Sequence, residues 1–149
     1  SGGQTAGMVV EILCIITLLV KTGRDFVFEA LLVAEALPRC LEVLLASPGS
    51  SMLHSAVRAV FHEVLRSREQ ASPLVLALLQ AAPLMRRVVE EQRPTAKLEE
   101  ACLSDRCWQA DRGHVAPLRC ICADLSSFAP EDPEVLSALQ SLEGWLETV

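Results

Sequence analysis

The chain has 149 residues and a formal net charge of −6; 51% of it is hydrophobic but only 4% aromatic, and it has no Tyr. That length fits one domain able to bury a core, which has to be built from Leu, Val and Ala and so suits helix packing better than a sheet. The 13 Lys and Arg are scattered and outnumbered by 19 Asp and Glu, which argues against phosphate-driven nucleic-acid binding.

Ser1-Gly2-Gly3 reads as a cloning remnant, and the lack of an initiator Met leads us to expect a piece of a longer protein. The longest apolar run, Met8 to Val20, is interrupted by Glu11 and closed by Lys21. It is too short for a bilayer, which needs about 20 apolar residues, and no basic segment precedes it as in a signal peptide. It is expected to be a buried helix, running from about Thr5 to Lys21 and stopped by Gly23.

A second helix is predicted from Asp25 to about Ala34. Pro38 then restarts the chain in a first turn, and a helix carrying Leu41, Val43, Leu44 and Leu45 stops at Ser47-Pro48-Gly49. Ser50 or Ser51 caps a helix that reaches about Arg66. Ser72-Pro73 has the signature of an N-cap followed by proline and should open the helix of Leu74, Leu78 and Leu79; Pro83 should open another, ending near Gln92. Between 93 and 111 apolar periodicity weakens and charge rises, as in an insertion loop, although Ala96 to Leu103 could form a short helix. Periodicity returns from about Gly113 to Phe128. Pro130-Glu131-Asp132-Pro133 starts a last helix, with acidic residues at the positive end of its dipole, and that helix is expected to hold Val135, Leu136, Leu139, Leu142, Trp145 and Leu146.

Apolar helical blocks begin near Met8, Leu53 and Val115, about 45 and 62 residues apart, with the insertion inside the longer gap. A period of 40–47 residues with two or three helices per unit is the mark of armadillo or HEAT repeats, whose units stack because none buries its apolar face alone. Residues 4–149 are therefore expected to form a single all-α, armadillo/HEAT-like helical-repeat domain; a plain helical bundle is the competing fold.

Six cysteines raise two chemistries. Cys14 and Cys40 sit in apolar helical runs, where a free thiol behaves as a small hydrophobe. Cys102, Cys107, Cys120 and Cys122, with His114, could suggest zinc. The spacings C-x4-C and C-x-C are not the usual C-x2-C knuckle, however, and Cys120 and Cys122 diverge if they share a helix. Nothing suggests secretion, so reduced thiols in the cytoplasm are expected, and no cofactor is implied. A Cys–His nucleophile would need a third, orienting group; His54, His62 and His114 lie in no recognised catalytic context, so no enzyme is expected.

The remaining candidates are surfaces. His54, Arg58, His62 and Arg66 recur every four residues, so they share one helix face. That face is either ordinary solvated surface or a ridge that meets an acidic partner. Arg86 and Arg87, mixed with Glu90 and Glu91, form a second such patch. Trp145 follows the core periodicity of the last helix. Trp108, in the polar insertion, either pins its loop or serves as a partner anchor, a role in which tryptophan is enriched.

Several blocks, in order, resemble the SAPS domain of the regulatory subunits of protein phosphatase 6. They are Ser51-Met52-Leu53-His54-Ser55-Ala56-Val57, after a leucine-rich helix following Leu37-Pro38; Ser72-Pro73-Leu74-Val75 leading to Leu78-Leu79; and Leu84-Met85-Arg86-Arg87-Val88-Val89-Glu90-Glu91. Arg112-Gly113-His114-Val115-Ala116-Pro117-Leu118-Arg119 then resembles the family's "KGYMGHLTR" helix start, and Glu143-Gly144-Trp145 matches its late tryptophan. His114 stands where that helix start has an aromatic and Pro117 where it has a histidine, as in a distant relative. The resemblance spans about residues 8–149 and implies the C-terminal part of an armadillo-like, non-catalytic scaffold. Such scaffolds bind a metal-dependent serine/threonine phosphatase catalytic subunit, connect it to ankyrin-repeat subunits, and act in the cytoplasm or the nucleus.

Overall fold

The computed structural model describes residues 2–92, 113–142 and 145, with side chains from residue 7 onward. The described residues are all-α, with eight helices and no strand. The predicted insertion at 93–111 lies outside the described residues.

Helix α1 spans Gly2–Lys21. Its end is chemical: the Thr22 and Gly23 amides bond back to the Leu19 and Val20 carbonyls, and Gly23 takes the left-handed φ of 71° that glycine adopts without penalty. After α2 (Asp25–Val33) the chain turns at Glu35, whose φ of 53° is left-handed. Helix α3 (Ala36–Ala46) therefore begins before Pro38, which sits in its first turn, where a missing N–H costs nothing. Ser50 caps α4 (Ser51–Arg66), its hydroxyl accepting from the Leu53 amide.

The next boundary departs from expectation. Helix α5 runs Arg68–Gln80 and starts at Ser67, so Pro73 lies inside it and Ser72 is not a cap. Proline there forfeits one bond to the Glu69 carbonyl. Two contacts offset that loss: Ala71 is wholly buried, and the Ser72 hydroxyl donates to the Asp132 carboxylate. Helix α6 (Ala82–Gln92) has Pro83 in its first turn, and α7 spans Val115–Phe128. A 3-10 turn, Ala129–Glu131, leads to Asp132, which caps α8 (Pro133–Gln140) by accepting from the Glu134 and Val135 amides at 3.1 and 3.3 Å. Helix α8 ends earlier than predicted. Leu142 lies beyond it, and the Trp145 amide bonds the Leu142 carbonyl.

Helix α4 is the hub, packed against α1, α3, α5 and α7; α2 and α8 pack on α5, and α6 on α7. Among the described helices two rows result, α1–α4–α7 and α2–α5–α8. Val57, Val60, Phe61 and Val64 of α4 are fully buried in a continuous core that reaches Trp145. The expectation that Met8 to Val20 forms a buried helix is overturned. Among the described side chains of α1 only Leu13 and Val20 are buried, because α4 covers one side of it, and Met8, Ile12, Ile15, Leu18 and Leu19 are exposed.

No single helix among the described residues is long and apolar enough to cross a membrane. Helices α5 and α6 together have the length and composition, but they are bent by 82° and turn their apolar faces into the core.

The Asp132 cap gives a pH-dependent prediction. The Ser72 hydroxyl, and then the Val135 and Glu134 amides, hold its carboxyl below the ordinary value of 3.8 against the opposing effect of partial burial. A carboxyl lowered in the folded state adds stability that is present above that value and lost as pH falls through the folded one. Asp132→Ala should cost about 1 kcal/mol at neutral pH. In urea titrations the gap between wild type and variant should narrow only in acid, below the ordinary aspartate range.

Candidate functional site

The α4 ridge is shorter than its spacing suggests. His54 is buried, and its Nε2–H donates to the Ser47 carbonyl at 2.7 Å, tying the start of α4 to the end of α3. It is thus a structural residue of the α3–α4 turn. Arg58, His62 and Arg66 are exposed. Arg66 pairs with Glu63 at 3.3 Å, within its own helix, and such an exposed pair contributes little. Arg58 and His62 have no ion-pair partner among the described residues.

Arg86 and Arg87 project from α6. Arg87 lies 4.0 Å from Glu91, one turn away. Arg86 borders an open cleft of about 370 Å³ with Met85, Val89, Glu90 and Leu142. Helices α4 and α6 are not a principal packing pair among the described residues. Trp108 lies outside the described residues.

Two of the described thiols, Cys40 and Cys122, are chemically quiet. Burial pushes Cys40 up to about 12, and pushes Cys122 up to about 11 against a lowering hydrogen bond from Gln92. Neither thiol is a thiolate near neutral pH, the form that attacks or ligates. Cys120 is half-buried on α7 and Cys14 exposed on α1. No group of three His, Cys, Asp or Glu among the described residues is placed to hold a metal; Cys102 and Cys107 lie outside them.

Sequence reasoning missed three features. The first is a polar seam between α6 and α7. Buried His114 donates from Nε2 to Glu91 at 2.8 Å, Gln92 donates to the Val88 carbonyl and the Cys122 sulfur, and Arg119 reaches the Gln92 carbonyl. Gln92 Oε1 and His114 Nδ1 are buried there without a hydrogen-bond partner among the described residues. The second is the end of α7, where Arg68 pairs with Glu131 at 2.7 Å and lies over the Phe128 ring, 5.8 Å from its centre. The third is a cleft of about 280 Å³ between α2 and α5, with Phe28, Leu32 and Leu74 beneath a rim of Asp25, Glu29 and Glu69. No local signal marks any of these, because each joins residues that only packing brings together.

Neither a family model, nor a curated protein, nor a solved structure matches the chain. At the level of class, then, the molecule is an all-α protein.

Proposed function

We infer that the chain is a non-catalytic scaffold of armadillo-like repeats. The proposed partner is a serine/threonine phosphatase catalytic subunit of the protein phosphatase 6 type, with ankyrin-repeat subunits and substrates recruited alongside, in the cytoplasm or the nucleus. The observation that supports the repeat reading is the packing of the described helices in two rows, α1 on α4 on α7 and α2 on α5 on α8. Units that stack along a chain produce such rows, and α1, α4 and α7 contain the apolar blocks near Met8, Leu53 and Val115. The partner rests on the order of the SAPS-like blocks in the sequence.

The contact surface proposed is Arg58, His62 and Arg66 on α4, with Arg86 and Arg87 on α6 and the Trp108 segment. His54 drops out because it is consumed by the α3–α4 turn. The test is a pull-down with the chain as bait, read by mass spectrometry, beside an Arg58→Glu/Arg66→Glu variant checked for unchanged helix content. Enrichment of such a catalytic subunit, weakened at least about tenfold in the variant, is the expected result. A folded bait that enriches other proteins instead would leave a helical-repeat adaptor of assembly or trafficking and remove the phosphatase.

A further inference from the structure

Helix α1 is amphipathic in an unusual sense: it is apolar on two sides. One side buries Leu13 and Val20 against α4. On another, Met8, Ile12, Ile15 and Leu19 are 64, 52, 56 and 45% exposed, with Leu18 beside them at 62%. Their four-three-four spacing is the seam of a coiled coil, in which every 3.5 residues an apolar side chain returns to one line. Helix α4 is covered on two flanks, by α1 and by α7, whereas α1 has α4 as its main packing neighbour.

We propose that this stripe is a self-association face on which a second copy of the chain lays its own α1, antiparallel. The spacing is symmetric about a point between Leu13 and Cys14. A two-fold axis there sets Met8 of one copy beside Leu19 of the other and Ile12 beside Ile15, twice over. That self-complementarity is what an isologous dimer requires. Antiparallel pairing also opposes the two helix dipoles. The five side chains expose roughly 500 Å² of apolar surface, near the top of what a monomer carries in one patch. With their flanks they approach the ~800 Å² per partner of a stable pair.

Charge argues against a bilayer as the occupant. A helix that lies on a membrane carries a basic polar face, whereas the described charges of α1 are Glu11 and Lys21 and the whole chain is at −6.

The experiment is sedimentation equilibrium of the whole chain across a wide concentration range, with Ile12→Glu/Ile15→Glu and, separately, Ile15→Lys. Because both positions are exposed in one copy, circular dichroism should be unchanged, and so should Tm at concentrations where the wild type is monomeric. Wild type should show a monomer–dimer equilibrium whose dissociation constant rises roughly a hundredfold or more in either variant, as for other central interface residues. A flexible bis-maleimide should trap a dimer through Cys14, exposed and level with the axis; the product should vanish in Cys14→Ser and fade in Ile12→Glu/Ile15→Glu. Three outcomes would overturn the proposal: a wild type that stays monomeric throughout, a dimer that survives both variants, or a monomer that binds phosphatidylcholine–phosphatidylserine vesicles through the stripe. None of these readouts involves a phosphatase, so the proposed function stands or falls separately.

Discussion

Leu78→Asp is expected to leave the chain unfolded at 25 °C. Leu78 has no exposed surface, and it sits on α5, the helix that joins α2, α3, α4 and α8. An aspartate there loses the leucine's burial, worth about 2 kcal/mol, and either carries an unpaired charge into the core or binds a proton to avoid it. Each route costs several kcal/mol. The sum is of the order of a domain's entire stability, about 5–15 kcal/mol. Circular dichroism should show loss of helix without denaturant. Leu139→Asp, on α8 at the rim of the same core, should also unfold or severely weaken the chain, because Leu139 is buried against the α5 row. Unchanged thermal stability in either variant would show that the helices face the other way.

Phe61→Ala should fold but be weakened by about 3–5 kcal/mol, the range for an aromatic truncated in a core. Phe61 is the largest of the fully buried side chains and lies on the hub helix α4. Its removal empties a site between helices that other contacts hold apart, so collapse can fill little of the space. Urea unfolding should show a lower midpoint at unchanged slope, the mark of lost stability without a change in the surface exposed. Phe61→Leu, which keeps most of the volume, should lose less. A loss under 1 kcal/mol for alanine would mean that the core around α4 is looser than its burial implies.

Contrasting boundaries show where local chemistry was sufficient. The glycine stop at Gly23, a serine cap at Ser50 or Ser51 and a helix start within Pro130-Glu131-Asp132-Pro133 were legible in the chain, because such signals act on amides a few residues away; the structure names Ser50 and Asp132 as the caps. Ser72-Pro73 carries the same type of signal and misleads. Buried Ala71 and the bond to Asp132, sixty residues on, keep the preceding turn helical. The periodic stripe of α4 shows the same division. Spacing put His54, Arg58, His62 and Arg66 on one face, but the Ser47 carbonyl, supplied by the preceding turn, takes His54 out of solvent.

By itself, then, the sequence determined the all-helical class, the approximate place of the helices, and the Leu- and Val-rich makeup of the core. Those follow from intrinsic propensity, periodicity and caps, which act over one or two turns. Only the tertiary structure decided which apolar faces are spent inside. Met8 to Val20 reads as uniformly buried, yet α4 can cover only one side of a cylinder, and the stripe opposite is left bare. The Glu91–His114 seam, the end of α8 at Gln140 and the two rows of described helices also depend on which surfaces meet. That is a property of packing between distant segments, and no local pattern in the chain encodes it.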